Sequence, residues 1–225
     1  AVLVFIPGVG TNLGKGASSW IQIGNYSFQP AEFLKLGMII FLAAYLGDKG
    51  KELLDFKKGF LVALLLGLLP IVLVVLQPDI GTASILFAIL FGMFFVAGTN
   101  IWHILSLAGS GIVGFIIMIV VSPYRADRLL TFFNSGGDVL NEGYQINQAH
   151  MAIGSGGIFG LGLGHSLQKH EYLPEVNADS IFAIIAEEMG FIVVTVFIVL
   201  LLLICYRGFR IAKNSPDMFS RLLVS

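Results

Sequence analysis

The stretch Glu171–Phe191, EYLPEVNADSIFAIIAEEMGF, changes from a polar segment to an apolar one within a few residues. The apolar run continues well beyond this stretch, and it is long enough to cross a bilayer as a helix, which needs about 20 mostly apolar residues. Two adjacent carboxylates, Glu187 and Glu188, lie inside the run, and Asp179 stands at its entrance. Because charged groups are costly at membrane depth, these three side chains require either partners or a function.

The composition of the whole chain supports a membrane location. Of its 225 residues, 56% are hydrophobic and 12% are charged, whereas about a quarter of the residues in soluble domains are charged. The net charge of −1 gives no bulk attraction to nucleic acid. The single cysteine, Cys205, excludes an intrachain disulfide and a metal site built from several cysteines.

Apolar runs of spanning length recur along the chain and predict an all-α polytopic membrane protein. These runs are at residues 30–47, 59–76, 80–98, 102–121 and 181–206. Lysine and arginine are concentrated in residues 49–58 and 207–221, which five alternating spans place on one side, predicted to be cytoplasmic. We therefore predict a single membrane domain over residues 1–225, with residues 122–180 forming a large extracytoplasmic loop.

Two polar motifs near helix ends have both a structural and a functional interpretation. Glu32 and Lys35 lie three residues apart on one helix face, either as a boundary pair that stabilises the helix end or as part of a wet cavity. Asp79 stands at a helix start, where we favour an N-cap. The glycine series Gly154–Gly164 follows no strand, so it predicts sharp turns and close backbone approach rather than a dinucleotide site.

Helical geometry separates the three carboxylates of the opening stretch. Glu187 lies roughly 80° around the helix and about 12 Å along it from Asp179, and Glu188 lies on the opposite side. The three therefore do not share one reacting centre, and we expect Glu187 and Glu188 to bond to neighbouring helices or to parts of the protein that are missing from this chain. Spacing leaves Asp179 open as either a helix cap or a reactive group at the outer interface.

Several motifs together resemble the SEDS family, which includes FtsW, RodA and SpoVE. They are KGASSWIQIGNYSFQPAEFLK (15–35), QPDIGTA (77–83), PYRADRLLTFF (123–133), GYQINQAHMAIGSGGIFGLGLGHS (143–166) and YLPEVNADSIFAIIAEEMGF (172–191). They occur in the family's order and cover most of the chain. Details such as Tyr144–Gln145 resemble the FtsW/SpoVE branch more than RodA. With its opening AVLVFIPGVG, the chain is interpreted as an internal fragment of a larger SEDS-type helical bundle.

The resemblance implies an activity at the outer face of the bacterial cytoplasmic membrane. It implies a glycosyltransferase that polymerises lipid II into glycan strands, in a multi-pass protein for cell division or cell-wall synthesis. It also implies a class B penicillin-binding protein as partner, together with other divisome or elongasome proteins and membrane lipids. No cofactor is certain; a divalent cation, Mg²⁺ or Mn²⁺, is left open. A lipid II flippase or a non-catalytic scaffold for a penicillin-binding protein remains the alternative function.

The resemblance also assigns roles to individual residues. Asp179 is the predicted catalytic base. The predicted substrate-binding residues are Trp20, Glu32, Lys35, Arg125, Arg128, Gln145, Lys169 and Glu175. Ser18 and Ser19 stand where the family commonly has a basic residue, so Arg125, Arg128 or Lys169 would have to supply positive charge to the pyrophosphate.

Overall fold

The computed structural model describes residues 2–5, 10–11, 20–23, 26–121, 142–166 and 180–225. The chain packs into two compact units, one formed by residues 1–113 with 207–225 and the other by residues 114–206. The single membrane domain over the whole chain stays a prediction.

The first unit begins with a small antiparallel sheet that the sequence analysis did not predict. A 3₁₀ turn covers Val2–Phe5. The strands are β1 (Gly10–Thr11), β2 (Trp20–Ile23) and β3 (Tyr26–Phe28), in the order β1-β2-β3. The sheet lies before the first span and is an addition to the predicted helical fold. Its strands are too short for an alternating pattern to stand out in the sequence.

Helices form at all five predicted spans. They are α1 (Pro30–Lys49), α2 (Leu61–Val75), α3 (Ile80–Val96), α4 (Ile101–Val120) and α6 (Ile181–Asn214). A π-helical turn at Phe56–Phe60 extends α2 to spanning length. Four of these helices are long and apolar enough to cross a membrane, and α3 is apolar but shorter. The predicted polytopic helical fold is therefore confirmed.

The ends of α1 follow from local sequence chemistry. Pro30 occupies the first turn of α1, where its missing N–H costs no helical hydrogen bond, and Gln29 before it is extended. Glu32 lies in the same turn and interacts favourably with the positive end of the helix dipole. Gly50 follows Lys49 with φ +47°, a conformation that glycine adopts without a steric penalty.

The core of the first unit is aliphatic and aromatic. Its largest fully buried side chains include Leu42 and Leu46 of α1 and Leu90 and Phe94 of α3. A short helix, α7 (Met218–Val224), packs against α1. These contacts bury one face of α1 within the unit.

The packing of α7 also tests the predicted topology. Gly47, near the end of α1, lies against the backbone of Phe219. A Cβ atom added at Gly47 would be only 3.3 Å from the Phe219 nitrogen. The basic tail after the last span therefore lies at the same end of the unit as the basic loop after the first. Span parity predicted this arrangement.

Three alanines and one isoleucine make the contact between helices in the second unit. Helix α5 (Glu142–Ser155) places Ala149 and Ala152 against Ala183 and Ile184 of α6. Residues 156–166, which we call the glycine segment, follow α5. Because three of these four residues are alanines, two backbones can approach closely, as is common between helices in membranes.

Helix α6 is broken at Gly190, where φ is 76° and ψ is 177°. In an unbroken helix the carbonyls of Glu187 and Glu188 would accept from the amides four residues on. Here the Glu187 carbonyl accepts from the Leu161 amide at 2.9 Å, and the Glu188 carbonyl accepts from the Gly162 amide at 2.9 Å. The glycine segment thus replaces the hydrogen bonds that the helix loses on one side of the break.

The amides beyond the break are satisfied by the same segment. Phe191 donates its N–H to the Gly157 carbonyl at 2.9 Å, and Ile192 donates to the Ile158 carbonyl at 3.3 Å. Both amides would otherwise have bonded within the helix. Because hydrocarbon offers no hydrogen-bonding partners, a broken helix at membrane depth is tolerated only where protein or enclosed water supplies them.

Glycine is required at this junction for steric reasons. A Cβ at Gly190 would collide with the backbone of Ile158, Phe159 and Gly160, and the positive φ of Gly190 would add strain for any L side chain. A Cβ at Gly156 would collide with the carbonyl of Ala186. The predicted role of the glycine series, close backbone approach, is confirmed at Gly156.

Substituting Gly190→Ala should destabilise the protein strongly. Backbone strain alone costs about 1–3 kcal/mol, and the collision with the glycine segment adds to this, so we expect a loss of at least about 2 kcal/mol in unfolding free energy. Thermal unfolding of the whole protein in detergent measures the effect.

Gly154→Ala is the matched control for this substitution. Gly154 lies in α5, and a Cβ added there would meet nothing within 4 Å, so alanine at this position should be neutral or slightly stabilising. Equal melting temperatures for the two variants would contradict the junction described here.

Candidate functional site

The first turns of α1 carry an ion pair between two of the predicted substrate-binding residues. Lys35 Nζ lies 2.8 Å from Glu32 Oε1, with Lys35 22% exposed and Glu32 56% exposed. An accessible pair of this kind contributes only about 0.2–1 kcal/mol to stability. The pair therefore adds little to the stability of the helix, and it leaves the Lys35 ammonium beside Glu32 at an accessible helix end.

A second carboxylate, Asp79, connects the beginnings of α1 and α3. Its Oδ1 accepts from the Thr82 amide at 3.0 Å, and its Oδ2 accepts from the Thr82 hydroxyl at 2.8 Å. Gln29, the residue before α1, donates its Nε2 to Asp79 Oδ2 at 2.8 Å. The predicted N-cap role is confirmed, and the contact with Gln29 adds a bridge between two helices that the sequence did not indicate.

The Glu32–Lys35 pair and the contacts of Asp79 place charged and polar side chains at the N-terminal ends of α1 and α3, both of which are apolar helices. In the part of the chain that the structure describes, Lys35 makes one ion pair, to Glu32, and an ammonium has three N–H donors. The remaining donors are available to an anionic ligand such as a phosphate oxygen. The carboxylate of Asp79, in contrast, already accepts three hydrogen bonds, two from Thr82 and one from Gln29.

The second unit contains a carboxylate that is fully buried. Glu187 is 0% exposed, and its Oε2 accepts a hydrogen bond from the Ser166 hydroxyl at 2.5 Å. We expected Glu187 to bond to a neighbouring helix or to a part of the protein missing from this chain; this partner lies in neither place but at the end of the glycine segment. Ser166 is 21 residues away in the chain, and no sequence pattern indicated the contact.

The structure brings together only some of the predicted site residues. Glu32 and Lys35 are in contact, whereas Trp20 is half-buried on β2 and, within the described residues, has no hydrogen bond or ring contact to either of them. Gln145 lies in α5, where its side chain is not described. The others lie outside the described residues: Arg125, Arg128, Lys169, Glu175 and Asp179.

The acidic side chains at the helix ends have partners other than a metal ion. Among the described ranges, no group of three or more His, Cys, Asp or Glu side chains converges to hold a metal ion. Glu32 is paired with Lys35, and Asp79 accepts from Gln29 and Thr82. These carboxylates therefore act as partners of cations and hydrogen-bond donors, and the divalent cation stays a prediction.

Comparison with known proteins identifies the family of the chain. A family model described as cell cycle protein, covering FtsW, RodA and SpoVE, matches residues 1–225. The chain belongs to this family. The resemblance found in the five sequence motifs is thereby confirmed over the whole length of the chain.

Named relatives of the family agree with this assignment. The chain is 44% identical over 218 residues to stage V sporulation protein E of Bacillus subtilis, covering 97% of this chain and 59% of the relative. It is 41% identical over 214 residues to the probable peptidoglycan glycosyltransferase FtsW of Wigglesworthia glossinidia brevipalpis, covering 95% and 55%. The chain thus spans just over half the length of these relatives, whose names support the FtsW/SpoVE branch.

Solved structures of the family share the fold. The rod shape determining protein RodA of Thermus thermophilus superposes with a TM-score of 0.62 at 27% identity, covering 100% of this chain and 56% of that one. A chain from a peptidoglycan synthase complex, solved to show how polymerization and crosslinking are coordinated, gives a TM-score of 0.69 at 25% identity and covers 100% and 62%. The helical membrane architecture is therefore that of the family.

Removing the Asp79 carboxylate should weaken the contact between α1 and α3. Asp79→Ala deletes the cap of α3 and the acceptor of Gln29, so we expect a loss of about 1–2 kcal/mol in unfolding free energy. Asp79→Asn keeps one acceptor oxygen and should lose less than half of this amount. Thermal unfolding of both variants in detergent provides the comparison, and equal losses in the two variants would show that the retained oxygen contributes nothing.

Proposed function

We propose that the whole protein is a peptidoglycan glycosyltransferase that polymerises lipid II at the outer face of the bacterial cytoplasmic membrane. The observation that carries the proposal is the match of nearly the entire chain to relatives named probable peptidoglycan glycosyltransferase FtsW. The similarity to a chain from a peptidoglycan synthase complex supports the same activity. The paired lysine at the start of α1 supplies a positive charge suited to a diphosphate-bearing substrate.

The proposed reaction forms one glycosidic bond and breaks one bond to pyrophosphate. The 4-hydroxyl of the incoming lipid II attacks C1 of the growing strand with inversion. The C1–oxygen bond to undecaprenyl pyrophosphate breaks, and the electron pair leaves with the pyrophosphate. The proton of the attacking hydroxyl passes to a base, which the resemblance assigns to Asp179.

The described residues contribute charge and orientation to this reaction. Lys35 would lie near a pyrophosphate oxygen, where its ammonium offsets negative charge that develops on the leaving group. Glu32 would fix the position of Lys35 through the 2.8 Å ion pair. Trp20, Gln145 and the loop residues Arg125, Arg128, Lys169 and Glu175 complete the proposed substrate-binding set.

The proposal extends to partners and location. A class B penicillin-binding protein would crosslink the strands that this protein makes, with other divisome or elongasome proteins around the pair. The basic loops at one end of the first unit are assigned to the cytoplasm by the distribution of lysine and arginine. A divalent cation, Mg²⁺ or Mn²⁺, is kept as a proposed counterion of the pyrophosphate, and no step depends on it.

The assigned base is tested with purified full-length protein and lipid II in detergent. Asp179→Asn should abolish glycan polymer while melting temperature and lipid II binding are retained, because an amide cannot accept the hydroxyl proton. Asp217→Asn is the matched control. Asn caps a helix about as well as Asp, and Asp217 caps α7 at the basic end of the first unit, so this variant should polymerise normally.

Other outcomes of the same assay favour the alternatives. Polymer formed by Asp179→Asn at the wild-type rate would refute Asp179 as the base. In a companion assay with the protein reconstituted into vesicles, movement of lipid II across the membrane without any polymer would favour a flippase. Polymer that appears only when an active second polymerase is added would favour a scaffold for the penicillin-binding protein.

The role of Lys35 can be separated from a role in stability. Because the Lys35–Glu32 pair contributes less than about 1 kcal/mol, Lys35→Gln should leave the melting temperature nearly unchanged. We expect kcat/KM for polymerisation to fall at least about tenfold, because the lost charge acts on the transition state, and Glu32→Gln should cause a smaller decrease.

Lys49→Gln is the control from the same helix. Lys49 lies at the opposite end of α1 and forms a similar pair with Glu52 at 2.9 Å. Polymerisation should be unaffected by this variant. A decrease equal to that of Lys35→Gln would show that any charge lost from α1 impairs the enzyme, which would contradict a local role for Lys35.

A further inference from the structure

A groove lies at the end of the last span, away from the polar groups at the start of α1. It has a volume of about 420 Å³ and lies between the final two turns of α6 and the turn that leads to α7. It is lined by Arg207, Arg210, Ile211, Asn214, Ser215 and Pro216. Arg210, Ile211 and Asn214 follow Arg207 by three, four and seven residues. This spacing places all four residues on one helix face.

The groove is positively charged and contains no acidic side chain. In the described part of the chain, neither Arg207 nor Arg210 forms an ion pair. The nearest carboxylate in the sequence, Asp217, accepts hydrogen bonds from the Ser220 amide and hydroxyl. These bonds hold the pKa of the Asp217 carboxyl below its usual range, so this group stays ionised and bound to its own helix.

The positive charge of the two arginines exceeds the charge needed to neutralise the C-terminal end of α6. The carbonyls at a helix C-terminus carry a partial charge of about half an electron. Two guanidinium groups therefore leave an excess of more than one positive charge at the groove. Each guanidinium also presents a planar set of donors that can bind a phosphate through two parallel hydrogen bonds.

The position of the groove relates it to the membrane surface. Arg207 directly follows the apolar run of α6, whose hydrophobic side chains are largely exposed. Ile211 is exposed and, with Pro216, provides an apolar wall beside the charged groups. A charged groove with an apolar wall at the end of a span suits a ligand that has both an anionic head and an apolar body.

We propose that this groove binds the phosphodiester headgroup of an anionic phospholipid in the cytoplasmic leaflet. Arg207 and Arg210 contact the phosphate oxygens, Asn214 and Ser215 offer polar contacts to the glycerol, and Ile211 and Pro216 contact the beginning of the acyl chains. Basic pockets beside spans on the cytoplasmic side are suited to anionic headgroups. The apolar wall favours a lipid over free phosphate.

The test uses purified full-length protein in a neutral detergent, with phosphatidylglycerol as the probe and the zwitterionic, net-neutral phosphatidylcholine as the comparison. Bound lipid is counted by native mass spectrometry during titration. We expect phosphatidylglycerol to bind at least about tenfold more tightly than phosphatidylcholine, because the choline cation beside the phosphate of phosphatidylcholine cancels its charge and is repelled by the two arginines, whereas phosphatidylglycerol keeps a net negative charge. Equal binding of the two lipids would overturn the proposal.

Matched charge-removing variants locate the binding. Arg210→Gln should weaken phosphatidylglycerol binding about tenfold, whereas Lys213→Gln should change it less than about twofold, because Lys213 lies on the same helix end but outside the groove. Equal effects of the two variants would indicate general surface attraction and overturn the site.

Displacement of the lipid by inorganic phosphate alone would assign the groove to free phosphate and would also overturn the proposal. If Arg210→Gln does not fold, Arg207→Gln removes the other guanidinium of the groove and should weaken phosphatidylglycerol binding by a similar factor.

Discussion

The requirement that every backbone polar group find a partner governs the second unit of this protein. Helix α6 breaks at Gly190, and a break exposes carbonyls and amides that a lipid environment cannot satisfy. The glycine segment supplies both kinds of partner, since its amides bind the carbonyls before the break and its carbonyls bind the amides after it. The close approach depends on Gly156 and Gly190, so the sequence of one segment constrains the other.

The same requirement extends to carboxylates among the apolar helices. Glu32 is paired with Lys35, Asp79 accepts from Thr82 and Gln29, and Glu187 accepts from Ser166. The pairs differ in burial, since Glu187 is inaccessible and Glu32 is more than half exposed. Removing the partner of a buried carboxylate is costly, whereas an accessible pair contributes little to stability. The accessible Lys35–Glu32 pair is therefore better suited than the buried Glu187 to contact a substrate.

Sequence patterns predicted the helices well and tertiary contacts poorly. The five spans were predicted because an apolar run of this length has few structural alternatives to a membrane-crossing helix. The cap at Asp79 was predicted because its signal lies within a few neighbouring residues. The bond between Ser166 and Glu187 and the bridge from Gln29 to Asp79 were missed, since they join residues that are distant in the chain. Gly190 was not singled out, because a glycine inside an apolar run leaves the pattern intact. The role of Asp179 came from family resemblance, and this residue lies outside the described part of the chain.

The hydrogen bonds between the glycine segment and the two sides of the break at Gly190 have a consequence for folding during biosynthesis. The glycine segment is synthesised before α6, so its backbone groups at Gly157 and Leu161 must wait for the partners that later satisfy them. During that interval hydrocarbon would be an unfavourable location for the segment, and water or the aqueous interior of the insertion machinery would be favourable. Membrane integration of this part of the protein is therefore coupled to its folding: the segment reaches its final depth together with the helix that follows it.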